Sequence, residues 1–325
     1  MSTIDFNHFG KVTAGGLFVN VTVTILGIGI QLFMCIYGLA CYLESPRTMR
    51  RGKPPYIIVS FVILGLFSLT AAMDAYTNFR SLFEATTGRE FYILTQEFER
   101  EWFRILSIFS LMFSLFTSDG LLLYRCYIVW KDQWYVLVIP GLCYLSTIGL
   151  GLQIAAPSQN WTPQDRIIGS AFTFLSVILN IMITSLLSFR LLRARNSMLG
   201  VLPSKHIQIY SRLIIILVEA ALPVAVFGIG YAITLVIPLG ETTAQISNWQ
   251  ISNMFFSTLY FLFATLSPQM IIFRVTTGRS WTDTTNASDN STNTVLSTKN
   301  SMPVFAAGQD SSQWPSTTGT RDGYI

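Results

Sequence analysis

Asp119-Gly-Leu-Leu-Leu-Tyr-Arg-Cys-Tyr-Ile-Val-Trp130 is the stretch on which the fold turns. It closes a long apolar segment near the middle of the chain and ends on an aromatic, followed by the polar step Lys131-Asp132-Gln133. An apolar run that stops at an aromatic and a polar boundary has the pattern of a helix leaving a bilayer. Asp119 and Arg125 put two opposite charges where lipid-spanning sequence normally carries none. The stretch therefore reads as the cytoplasmic half of a membrane helix with something polar buried in it.

The composition agrees with that reading. Of 325 residues, 51% are hydrophobic and 12% are charged, with a mean hydropathy of +0.49. Soluble domains carry roughly 25% charged residues. A water-soluble core cannot hide this much apolar surface, so the bilayer must solvate most of it. The net charge of +4 comes from basic residues in short loops between apolar runs, where they act as orientation signals. No nucleic-acid partner is implied. Cys35, Cys41, Cys126 and Cys143 all fall inside apolar segments, which offers no exterior disulfide framework. Two histidines, His8 and His206, are too few for a haem pair or a histidine-rich metal site, and no cofactor is expected.

Working outward from the central helix, seven spans are predicted, at about 17–43, 56–77, 103–130, 134–155, 167–192, 213–237 and 248–273. The first is free of charge and spans about 40 Å at 1.5 Å per residue, enough to cross a ~30 Å core with tilt. Arg47, Arg50, Arg51 and Lys53 follow it and place that loop in the cytoplasm, with the N-terminal segment 1–16 outside. Alternation continues loop by loop. Residues 190–212 form the most basic connection and again fall inside. The connection 78–102 is mixed in charge, and Thr95 to Arg104 is expected to extend the third span upward as a helix. Trp130, Trp134 and Tyr135 are expected to form an interfacial belt. Asn160-Trp161-Thr162 is a glycosylation acceptor pattern in an exterior loop. From 274 to 325 the chain is rich in Ser, Thr, Asn and Gly and is expected to form a disordered cytoplasmic tail. The fold class is thus an all-α membrane protein, a seven-transmembrane-helix bundle with its N-terminus outside and C-terminus inside.

Charges inside the spans are the candidate working residues. Each costs about 2.5–3.5 kcal/mol at mid-membrane even on a lenient scale, so it must face the bundle or a wet cavity. Asp119 lies about 16 Å from Trp130 along the helix, near the middle. Arg125 is only about 7 Å from Trp130, at the cytoplasmic edge, where it either snorkels to headgroups or pairs with Glu219 of the sixth span. Asp119 and Arg125 are six residues apart and do not meet on one helix, so Asp119 needs another helix, a water or a proton. Pro223, one turn beyond Glu219, is a hinge candidate. Ser110, Ser114 and Ser118 recur at helical spacing and favour close helix packing.

The stretch Asp119 to Trp130 resembles the Asp-[Ala/Gly]-Leu-Leu-x-Tyr-Arg-Cys-Tyr-x-x-Trp signature of a group of seven-span membrane proteins from mushroom-forming fungi. That resemblance implies a fold and a fungal membrane context and carries no chemistry. The layout is also similar to that of a G-protein-coupled receptor, with Arg125 at the place of a third-helix arginine. Tyr124 stands where an acid would precede it, and Ser267-Pro268-Gln269 replaces an Asn-Pro motif. The resemblance therefore implies a receptor-like architecture only.

Two functions fit these residues. In a sensory receptor, an extracellular or membrane-borne small molecule would sit in the exterior half near Asp74, Gln153, Tyr231, Trp249 and Asn253. Asp119, Arg125, Glu219 and Pro223 would then form the switch and latch, and a cytoplasmic signalling protein would dock at 190–212. In a transporter or channel for a lipid, small molecule or proton, Asp119 would be the coupling site. No catalytic set stands out. The seventh span has no lysine, which excludes a retinal Schiff base.

Overall fold

The computed structural model describes residues 5–44, 54–98, 101–155, 163–197, 204–237 and 242–289. The chain divides into two units, Met1–Asp283 and Thr284–Ile325. The first holds the helical bundle. Of the second, only 284–289 are described, as helix.

In chain order the helices are α1 (Phe6–Glu44), α2 (Pro54–Glu84), α3 (Gly88–Phe98) and α4 (Trp102–Val129). A 3-10 segment, Lys131–Leu137, then leads to α5 (Val138–Ala155), α6 (Pro163–Ser197), α7 (Ser204–Val236) and α8 (Thr243–Asp289). Among the described residues there is no strand, and seven helices are long and apolar enough to cross a membrane: α1, α2, α4, the 3-10 segment with α5, α6, α7 and α8. The helices suit the solvent, because in hydrocarbon every backbone N–H and C=O must find a protein partner and a single long apolar segment supplies them all only as a helix. Large apolar side chains cover the outside of the bundle, among them Phe18 at 67% exposed, Leu26 at 66% and Phe33 at 62% on α1 alone. Such a surface is stable only against lipid, so the chain is a multi-pass integral membrane protein.

α6 packs along α7, α2 along α4, and α5 against α4 and α6, while α1 lies on α2 and α3. Two apolar cores fill the interior. One joins Met112, Leu115, Phe172, Val177, Val224, Tyr260 and Ala264. The other, nearer Trp130, joins Leu122, Cys126, Trp130, Leu179, Ile183, Leu187, Leu217 and Ile271.

The structure differs from the sequence-based expectations in several places. α1 begins at Phe6 instead of 17, because the Asp5 carboxylate caps it by accepting from the Asn7 and His8 amides at 3.0 and 3.2 Å. The expected upward extension of the third span is a separate helix, α3, and Glu101 just before α4 is extended at φ −75°, ψ 153°. α3 is pinned to the start of α1 by a bond from the Gly88 amide to Asn7 Oδ1 at 2.8 Å. A Cβ on Gly10 would strike the Gly88 carbonyl, and one on Gly88 would strike the Asn7 carbonyl, so only glycine permits this approach. Trp130 is not part of an interfacial belt. It is 4% exposed and donates from Nε1 to the Leu186 carbonyl at 3.3 Å, while Trp134 and Tyr135 stay exposed. Finally, α8 continues past 273 to Asp289, and no proline interrupts it after Pro268.

Candidate functional site

Asp119 sits between the two apolar cores. On α4 it falls between Leu115 of one and Leu122 of the other, and its partner Ser176 precedes Val177 on α6. The Ser176 hydroxyl donates to Asp119 Oδ2 at 3.2 Å. Tyr260 of α8 reaches the same layer: its ring belongs to the first core and its hydroxyl lies within electrostatic reach of Asp119 and Ser176. Tyr144 of α5 also lies within electrostatic reach of the carboxylate and donates to the Phe116 carbonyl at 3.0 Å. The layer thus draws on four spans. No basic side chain bonds Asp119 among the described residues. Among the described residues the Ser114 and Ser118 hydroxyls are buried without a hydrogen bond, and the Tyr260 hydroxyl lies close to Ser176 without reaching hydrogen-bonding geometry.

A second polar group lies toward the end of the bundle that carries Asn7. Asp74 Oδ1 accepts from Arg104 Nη1 at 3.0 Å and from the Ser107 hydroxyl at 2.6 Å, which ties α2 to α4. About a third of each charged side chain is exposed, so the pair is partly solvated. Arg104, Ser107, Ser114 and Ser118 recur at three-, seven- and four-residue steps along one face of α4, over a rise of about 21 Å. Tyr231 of α7 stands near both groups. It lies within electrostatic reach of Arg104 and stacks on Tyr260 with ring centroids 6.0 Å apart.

A groove opens between α7 and α8 at the same end. Its volume is about 420 Å³, and Gly230, Ile233, Thr234, Ile237, Trp249 and Phe256 form most of its wall. Trp249 is fixed by a bond from Nε1 to the Thr234 carbonyl at 2.7 Å, and Asn253 Nδ2 donates to Thr234 Oγ1 at 3.1 Å. A Cβ on Gly230 would collide with the Phe256 ring, so the glycine lets that ring of α8 pack directly against the α7 backbone.

The candidates named from sequence are therefore dispersed. Tyr231, Trp249 and Asn253 share the α7–α8 side, Asp74 pairs with Arg104 on the α2–α4 side, and Gln153 does not join them. Gln153 is exposed on α5 because the inward positions there are Thr147, Gly151 and Ala155, and 153 falls off that face. The Arg125–Glu219 latch is not formed. The Arg125 guanidinium stands over the Tyr56 ring of α2, 5.2 Å from its centroid. Glu219 is exposed, because Leu217, Ala220, Ala221 and Val224 take the inward face of α7 at helical spacing and turn 219 outward. α7 runs helical through Pro223. Asn160 lies outside the described residues, as do residues 198–203 of the basic stretch 190–212. Within that stretch Arg193 is exposed, and Arg190 bonds Asp132 at 3.0 Å.

Several residues of these sites were missed in the sequence: Ser176, Tyr260, Arg104 and a buried amide pair, Gln31 and Gln269. Gln31 Nε2 donates to Thr265 Oγ1 at 2.9 Å, and Gln269 Nε2 to the Ser60 carbonyl at 3.4 Å, joining the first, second and seventh spans. Polar residues inside predicted spans were the available signal for the glutamines and Arg104. Ser176 and Tyr260 give none, because hydroxyls are common in membrane helices.

No protein-family model, curated protein or solved structure matches the chain.

Proposed function

We propose that the protein is a receptor-like seven-span membrane protein, and that a small molecule with an apolar chain occupies the groove between α7 and α8. In this reading the Asn7 end is outside, the Trp130 end is cytoplasmic, and the setting is the fungal membrane family whose signature the chain resembles. The observation that carries the reading is the packing of the groove wall on the polar layer. Gly230 and Phe256 meet in the groove wall. Their neighbours in chain and space, Tyr231 and Tyr260, stack on each other, and Tyr260 ends beside Ser176 and Asp119. An occupant that wedges α7 from α8 acts directly on that stack. It shifts the packing of the layer only as far as its affinity differs between the two arrangements. The basic stretch 190–212 at the other end, with Arg193 exposed, is the docking surface for a signalling protein.

The test uses the full chain in phosphatidylcholine nanodiscs with a photoreactive long-chain alcohol. The expected result is cross-linking concentrated at 230–256, loss of that cross-linking in Ser252→Trp, and altered amide exchange around Ser176 on probe addition. Even labelling of all lipid-facing helices would refute the groove as a site.

One observation favours a transporter instead: Asp119 is a buried carboxylate held by a hydroxyl, with no basic side chain bonded to it among the described residues. Proton-coupled uptake in proteoliposomes that Asp119→Asn abolishes would establish that reading against the receptor.

A further inference from the structure

Arg166 stands at the rim of the α7–α8 groove. Its Nη2 donates to the carbonyl of Ile237, and its guanidinium lies over the Trp249 ring, 4.8 Å from the centroid. Ile237 and Trp249 are both groove residues. Arg166 is therefore held in place from two sides by the groove itself, and Trp249 is in turn pinned by its bond to Thr234. Among the described residues Arg166 makes no ion pair; its contacts are that carbonyl and that ring. A guanidinium has five N–H donors in a planar fork, and the Ile237 carbonyl takes one position.

We infer that the groove holds a single-chain amphiphile with an anionic head, a long-chain carboxylate drawn from the surrounding bilayer, with its head on Arg166 and its chain along Ile233, Ile237 and Phe256. The inference rests on the groove being the ligand seat proposed above. Charge complementarity selects the head: the cation at the rim pairs with no acid among the described residues, and a carboxylate accepts two parallel N–H bonds from such a fork. The groove selects one chain over two, since about 420 Å³ lies toward the small end of the ~300–1,000 Å³ typical of small-molecule sites. The cation's stacking on Trp249 also costs the head little ordering, because the guanidinium is already oriented.

The experiment compares two photoreactive probes of equal chain length, a carboxylic acid and its alcohol, on the full chain in phosphatidylcholine nanodiscs at alkaline pH. The acid is expected to label 230–256 at least about tenfold more efficiently than the alcohol, on the scale of a charge-assisted hydrogen bond. Arg166→Gln is expected to remove that preference while leaving alcohol labelling intact, and Arg166→Lys to retain part of it. Equal labelling by acid and alcohol in the unmodified protein overturns the anionic head and leaves the groove reading standing. Failure of both probes to label the groove overturns the groove reading itself. Loss of acid labelling when phosphatidylglycerol is added to the nanodisc identifies a phospholipid headgroup as the occupant and overturns the single-chain assignment.

Discussion

Replacing Tyr260 with phenylalanine is expected to stabilise the bundle. Tyr260 is 0% exposed, and its hydroxyl lies close to Ser176 without reaching hydrogen-bonding geometry to any described residue. Burying an unbonded hydroxyl costs about 1–3 kcal/mol, as mutations in proteins show. Deleting it leaves a void of about 10 Å³, which at ~24 cal/mol per Å³ costs about 0.2 kcal/mol. The ring contacts survive, including those with Tyr231 at 6.0 Å and Phe261 at 5.1 Å between centroids. The balance favours the variant by about 1–3 kcal/mol, roughly a five- to hundredfold change in the unfolding equilibrium. Unfolding in mixed micelles followed by circular dichroism measures it. A variant less stable by about 1 kcal/mol or more would refute the reasoning, because it would mean the hydroxyl is bonded, to Ser176 or Asp119, in the folded protein. A double-mutant cycle with Ser176→Ala separates the cases. Coupling within about 0.5 kcal/mol fits independent residues, and a larger value makes the layer one hydrogen-bonded unit.

Gly88→Ala places a methyl group against the Asn7 carbonyl, a backbone atom that cannot swing aside. It is expected to cost about 1–3 kcal/mol and to speed amide exchange across 88–98. Gly15→Ala, whose Cβ meets nothing within 4 Å, is the matched control and should be harmless. A double-mutant cycle of Asp74→Asn with Arg104→Gln should give coupling of about 1 kcal/mol or more, read as detergent stability; values near zero would reduce the pair to a surface contact. Glu90 outside the spans is held below its ordinary value of 4.5, first by the Thr86 hydroxyl and then by the Thr86 amide. Its contribution is therefore present above the unfolded carboxylate value and fades as pH falls through the lower folded one. Amide exchange at Thr86 should accelerate on that acidification, and Glu90→Gln should flatten the dependence.

The seven spans were legible in the sequence because membrane crossing is a local property. Each segment must satisfy its own backbone bonds, so length and hydropathy suffice to find it. Asp119 was legible for a related reason, since the cost of a mid-span charge does not depend on which neighbour relieves it. Which neighbour relieves it was decided by tertiary structure alone. Lipid and protein core are both apolar, so a membrane helix can be apolar all round and its sequence does not mark the inward face. Rotation of each helix is then set by packing against the others. That rotation turned Glu219 and Gln153 outward, buried Trp130, set Arg125 over Tyr56, and brought Ser176 and Tyr260 to Asp119.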